Sequence, residues 1–211
     1  MKGAGILHLH RARHITALVY KELLALGVFR LPITENHAFF HDGRRILISS
    51  MQAYALRTGV NMEALTLQGR YEDGLCLRGL RPGVDVILYN REKTRCRKRF
   101  TVLHELGHIK CGHILHGKNE ETEAHFFASQ FLMPSILLSA LEQRGYHLNT
   151  ELLVRHFVVS PAAAEVRLRQ YTQEKAFDDS LLPLPEEEAL LQSFEAFLNE
   201  SFPYVKQRLA Q

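Results

Sequence analysis

Two histidines four residues apart with a glutamate between them, in His104-Glu105-Leu106-Gly107-His108, constrain this chain more than any other feature. On an α-helix such residues lie about 40° apart and one turn along, so both imidazoles can reach one ion. In a strand the same spacing spans about 13 Å and they cannot. The residue types suit zinc. Two neutral imidazoles and a third protein ligand leave a fourth position open, where a water's pKa falls to about 7. Glu105 stands beside that position rather than in it, placed to take the water's proton and hand it to a leaving amine. The pattern fixes only three positions, so the plain alternative is a pair of surface or core histidines bonded to neighbours.

Composition narrows the setting. The chain has 211 residues, 46% of them apolar, enough for one real core and a small accessory lobe, which excludes a disordered tail or a disulfide mini-protein. Lys and Arg number 26 against 23 Asp and Glu, a net charge of +3, far from the surplus of a dedicated nucleic-acid binder. The cysteines at 76, 96 and 111 are odd in number and form no Cys-x-x-Cys clip, which fits a reducing compartment. The amino-terminal apolar patch, Met1 to His10, is too short for a signal sequence, and no stretch approaches the roughly 18 apolar residues that span a bilayer. A soluble cytoplasmic protein without membrane contact is expected.

Apolar spacing predicts a helix over Arg13 to Leu26, stopped by Gly27, with Leu31-Pro32 beyond it. Asp42-Gly43 lies between two apolar runs as either a hairpin or a plain loop. Ser49 or Ser50 can cap a short helix ending at Gly59. Leu65-Leu67, Leu75-Leu77 and Val84-Tyr89, separated by Asp73-Gly74 and Pro82-Gly83, read as short strands of a small antiparallel sheet. Asn90 can cap a helix that carries the histidine motif and stops at Gly112 or Gly117. Further helices are predicted over Glu120 to Met133, Ser135 to Arg144, Asn149 to Phe157, and Ser160-Pro161 to Tyr171. Pro183, Pro185 and Glu186-Glu187-Glu188 read as a linker into one acidic amphipathic helix. The class is α+β: a small antiparallel sheet packed on a mainly helical core.

A third metal ligand has to come from elsewhere. A histidine six residues past His108 is the metzincin solution, but Ile114 occupies that position. A carboxylate from the next helix is the other route, and Glu121-Thr122-Glu123-Ala124-His125-Phe126-Phe127-Ala128 offers one. Taken with Arg97-Lys98-Arg99-Phe100-Thr101-Val102-Leu103 before the motif and Phe131-Leu132-Met133-Pro134 after it, this segment resembles the ImmA/IrrE family of bacterial metallopeptidases. A weaker likeness extends through Leu31-Pro32, Val84 to Tyr89 and Val159-Ser160-Pro161, covering about residues 15–172.

The resemblance implies a zincin-like peptidase domain over residues 1–175, with 176–211 as the acidic linker and carboxy-terminal helix. It also implies zinc held by His104, His108 and Glu121, with Glu105 catalytic. Glu123 and Glu120 compete for the carboxylate role, since acidic residues at a helix start are favoured by the dipole alone. His125 stands where the family usually has Asn or Asp, as a neighbour of the ligands, a substitute ligand or a proton donor. The implied activity is that of an intracellular endopeptidase acting on a protein partner, typically a helix-turn-helix repressor encoded beside it in a mobile element or stress operon.

The alternative is a metal-stabilised module that sequesters its regulator without hydrolysis. Direct DNA binding is a third reading, resting on Thr58-Gly59-Val60 and on the run Arg91, Lys93, Arg95, Arg97, Lys98, Arg99. Glu92 interrupts that run and no aromatic residues interleave it, so it reads as a solvated helix face able to dock an acidic substrate. Cys111 shares the ligand face, but three ligands at i, i+4 and i+7 span about 10 Å, so it reads as a small apolar filler. His113 and His116 fall off that face and read as surface or turn residues.

Overall fold

The computed structural model of the chain describes residues 9–35, 37–69, 71–114, 117–178 and 182–205. Residues 1–8, the greater part of the amino-terminal patch, and His116 lie outside them. The described residues fall into two compact units, residues 34–128 and residues 9–33 with 129–205.

The first unit is built on four strands, β1 (Phe39–His41), β2 (Arg44–Ser50), β3 (Gly74–Arg81) and β4 (Val84–Tyr89). Asp42 and Gly43 take φ of 48° and 73°, the turn that matches strand twist, so the β1–β2 segment is a hairpin rather than a loop. The order is β1-β2-β4-β3, antiparallel at both edges and parallel between β2 and β4. The α+β class holds, but the sheet is mixed rather than wholly antiparallel. Turn residues specify which strands form hairpins, and two hairpins joined by helices can dock parallel at their inner strands.

That connection consists of α1's successors in the chain rather than a strand: α2 (Met51–Thr58) and α3 (Met62–Leu65), where α1 is Leu9–Ala25. Ser50 caps α2 by accepting from Ala53 N at 3.1 Å. Leu65-Leu67 is therefore not a strand. Asn61 accepts from Glu63 N and starts a helical turn, and Leu67 and Gln68 then reverse the chain at φ of 44° and 57°. The four-residue α3 offers no second helix for a DNA-reading pair. Met51, Leu65 and Leu88 form the small core between these helices and one face of the sheet.

The helix that carries the motif, α4 (Arg95–Lys110), packs on β3 and β4. Gly74 permits it: a Cβ there would lie 2.2 Å from Thr101 Cγ2 and 2.7 Å from Leu88 O. Thr94, not Asn90, caps α4, accepting from Arg97 N at 3.3 Å. Asn90 instead accepts from Gln52 Nε2 and Glu92 N in the preceding turn. Next comes α5 (Lys118–Leu132), whose last residues belong to the second unit.

The second unit is helical, made of α1, α6 (Ser135–Gln143), α7 (Thr150–Phe157), α8 (Pro161–Asp178) and α9 (Pro185–Ser201). α1 packs on α9, burying Ile15, Val19 and Leu23 on one side and Leu190, Phe194 and Leu198 on the other. Arg167, fully buried, donates to Met133 O at 2.8 Å, Ser135 Oγ at 2.6 Å and Glu174 at 2.7 Å, which pins the reversal at Pro134. No single helix among the described residues is long and apolar enough to cross a membrane.

Candidate metal centre

The end of α4 determines which imidazoles meet. Cys111 closes the helix and Gly112 follows at φ 73°, while Gly112 N donates to Ile109 O and His113 N donates back to His108 O at 2.9 Å. This paired closure is the Schellman arrangement that a glycine after the last turn permits. It folds the chain back, so His113 returns to the flank of His108 instead of following the helical period outward.

From the next helix, α5 passes against α4 at Gly107. A Cβ on Gly107 would stand 3.0 Å from Phe127 Cβ and 3.1 Å from Ala124 Cα, so the glycine is what admits the second helix. That approach brings Glu121 to the imidazole pair. Its carboxylate lies 3.3 Å from His104 Nε2 and 3.4 Å from His108 Nε2, and the two Nε2 atoms are 3.1 Å apart. Hydrogen bonding by His104, against a smaller desolvation penalty, holds the Glu121 carboxyl at about 2, well below the usual carboxylate range.

These separations test whether the residues fit a metal. Ligands at 2.0–2.1 Å from a tetrahedral zinc stand about 3.3 Å apart; here the two nitrogens are 3.1 Å apart, one Glu121 oxygen lies 3.3 Å from His104 Nε2 and the other 3.4 Å from His108 Nε2. Two nitrogens and a carboxylate oxygen are also a donor set suited to a divalent cation. The side chains of His104 and His108 are 13% and 4% exposed and that of Glu121 42%, so the group opens to solvent from the α5 side.

The other candidates are distributed around this trio. Glu105 is buried on α4, its charge felt by Cys76 of β3, whose thiol is pushed up to about 12, chiefly by burial and then by Glu105. Glu123 does not join the pair but meets His113 Nε2 at 2.9 Å. The His125 ring lies 4.6 Å from that of His104 and 5.4 Å from Phe100, tilted against both, and packs beside the ligand rather than joining the trio. Desolvation first, then the like charge of His104, lowers the His125 imidazole to about 4.

Two sequence expectations require correction. His113, expected as a surface or turn residue, does close the turn after α4 but is not at the surface: its side chain is 6% exposed and its Nδ1 lies 3.0 Å from His108 Nδ1. The 3.6-residue period used to place it ends at Lys110, where α4 ends. Cys111, expected as a small apolar filler, is half-buried with its sulfur near His113 and Glu123. The basic run is only partly a solvated face. Arg99 is 1% exposed and lies 3.6 Å from Glu35, Lys93 pairs with Asp73 at 3.4 Å, and Arg97 pairs with the same carboxylate. Arg95 and Lys98 line a cavity of about 550 Å³ with Arg45, His37 and Glu35.

Sequence reasoning missed the His113–Glu123 contact, although Gly112 one position before His113 was a signal for the reversed turn. A family model described as Peptidase_M78, IrrE N-terminal-like domain, matches residues 55–169, a span that includes α4 and α5. No curated protein matches the chain.

Proposed function

The chain belongs to the Peptidase_M78 family of IrrE N-terminal-like domains, and from that premise we propose a zinc-dependent endopeptidase that acts inside the cell on a regulatory protein, a helix-turn-helix repressor encoded beside it in a mobile element or stress operon. A metallopeptidase-like role follows from the family; the metal, the residues and the substrate are this reading's own. Its main support is the convergence of His104, His108 and Glu121: the two Nε2 atoms are 3.1 Å apart and each has a Glu121 carboxylate oxygen within 3.4 Å.

In this reading those three side chains hold zinc, which when bound supplies Lewis acidity toward a peptide carbonyl and makes water a nucleophile near neutral pH. Glu105 accepts the proton that water loses and delivers it to the amide nitrogen as the carbon–nitrogen bond breaks, so charge and atoms balance. Burial of Glu105 keeps bulk solvent from competing for that proton. β3 is an edge strand that runs beside the site: Arg78 donates to His113 O at 2.9 Å and Cys76 neighbours Glu105. An extended substrate segment adds to that edge through main-chain hydrogen bonds. Arg45, Arg95 and Lys98 favour acidic substrate residues in their cavity.

The test is Glu105→Gln, which keeps the volume and removes the base. Incubated with the repressor encoded next to it, the variant should retain its metal and cleave about 10²- to 10⁴-fold more slowly than wild type. A variant that inactivates the repressor as well as wild type removes the peptidase reading in favour of sequestration.

A further inference from the structure

We propose that His113 and Glu123 are positioning residues that orient the His108 ring for metal binding through a relay of two hydrogen bonds. The inference rests on the metallopeptidase reading of the site and assigns work to two residues that reading leaves idle.

The proton positions follow from the donors. His108 turns Nε2 toward His104 and Glu121, so as a neutral ligand it carries its proton on Nδ1. Nδ1 lies 3.0 Å from His113 Nδ1, which must therefore offer its lone pair. The His113 proton then sits on Nε2, 2.9 Å from Glu123 Oε2, a full acceptor. One tautomer satisfies each step. The side chains of His108, His113 and Glu123 are 4%, 6% and 14% exposed, so water competes weakly for these contacts. A carboxylate at the far end of such a relay fixes the ligand ring and raises its basicity.

His104 lacks an equivalent. Its Nδ1 is buried with no hydrogen-bond partner among the described residues, and its ring is held by packing, stacked on Phe100 at 6.3 Å and beside His125 at 4.6 Å. The two imidazoles are thus unequal ligands, one anchored and one stacked.

The rival is a second cation on Cys111, His113 and Glu123, whose donor atoms also gather together. Metal on His113 Nε2 would place that ring's proton on Nδ1, facing the proton on His108 Nδ1 with only 3.0 Å between the two nitrogens. The 2.9 Å between His113 and Glu123 is also an ordinary hydrogen-bond length, shorter than the edge of a tetrahedral site at about 3.3 Å.

The experiment measures cobalt(II) affinity of the full chain by chelator competition, with the visible cobalt spectrum and the thermal unfolding of the metal-free protein. His113→Phe should weaken cobalt binding about 10- to 100-fold and alter the spectrum. His113→Asn, whose Oδ1 can accept from His108 Nδ1, should recover most of the loss. Glu123→Gln, which accepts but carries no charge, should fall between wild type and His113→Phe. Cobalt affinity within twofold of wild type in His113→Phe, with an unchanged spectrum, overturns the relay. Loss of a second cobalt equivalent, with the first unaffected, overturns it in favour of the second cation. Where His113→Phe unsettles the metal-free fold, Glu123→Gln decides, and unchanged affinity and spectrum there count against the relay. A wild-type chain that takes up no cobalt removes the metal reading and the relay together, whereas tight binding indifferent to His113 removes the relay alone.

Discussion

Glu121 and Glu123 stand two residues apart on α5, about 200° around the helix, so only one of them can face His104 and His108. The other is turned to where the chain returns after α4, and His113 waits there. Position on the helix, rather than residue type, separates their roles. Asp85 shows the same dependence on surroundings. Its side chain is 1% exposed and accepts from Arg44 Nη2 at 2.8 Å, Arg44 Nε at 3.1 Å and Gly79 N at 3.0 Å, joining β2 and the bulged part of β3 to β4. The Arg44 hydrogen bonds are the main reason its carboxyl lies below the usual 3.8. A carboxyl depressed in the folded state adds stability above its unfolded value and loses it as pH falls through the folded one. Wild type should therefore exceed Asp85→Asn in urea stability at pH 7, and the gap should close as pH falls below about 4, the ordinary carboxylate value. A gap independent of pH would count against the ion pair as its source. None of this was legible in the sequence, because Arg44 lies 41 residues from Asp85 and nothing local marks the partner. The imidazole pair was legible because its spacing is a property of one helix turn.

Helices reveal themselves through local signals, and those signals located most elements here. Asn149 accepts from Leu152 N and Ser160 Oγ from Ala163 N, as cap residues at those positions should. The order of strands carries no such mark, which is why the parallel β2–β4 pair emerged only from the structure. The segment Phe131-Leu132-Met133-Pro134 is tied to α8 by Arg167, whose bond to Met133 O spans 34 residues. The glycine of the motif belongs to this scale, since Gly107 governs how closely α5 approaches α4. Alanine there improves helix propensity by about 1 kcal/mol but sets a methyl 3.1 Å from Ala124 Cα and 3.2 Å from Ala124 O, backbone atoms that cannot swing aside. Overpacking of this kind costs about 1 to 3 kcal/mol, so Gly107→Ala should be destabilised by about 1 kcal/mol net and should bind zinc more weakly as Glu121 is displaced. Denaturant titration and chelator competition read the two effects. Unchanged zinc affinity would mean that the α5 backbone does not set the ligand's reach.

His104, His108 and Glu121 all belong to the unit formed by residues 34–128, whereas α1 and α9 close a core of their own in the other unit. A ligand stabilises only the states from which it would have to dissociate, by about 2.7 kcal/mol at a free concentration a hundred times its dissociation constant. Zinc should therefore slow amide exchange across α4 and the described residues of α5 up to Ala128 by roughly a hundredfold, the rate factor that this free energy represents. Amides of α9 beside Leu190, Phe194 and Leu198 depend on zinc only if the second unit opens whenever the first does. Since that core is complete without a metal ligand, exchange in α9 should be nearly indifferent to zinc. His108→Ala should abolish the slowing in α4 while leaving α9 as it was. Equal slowing of both units would show that the chain opens as one, and an absence of slowing in α4 would remove the metal from the site altogether.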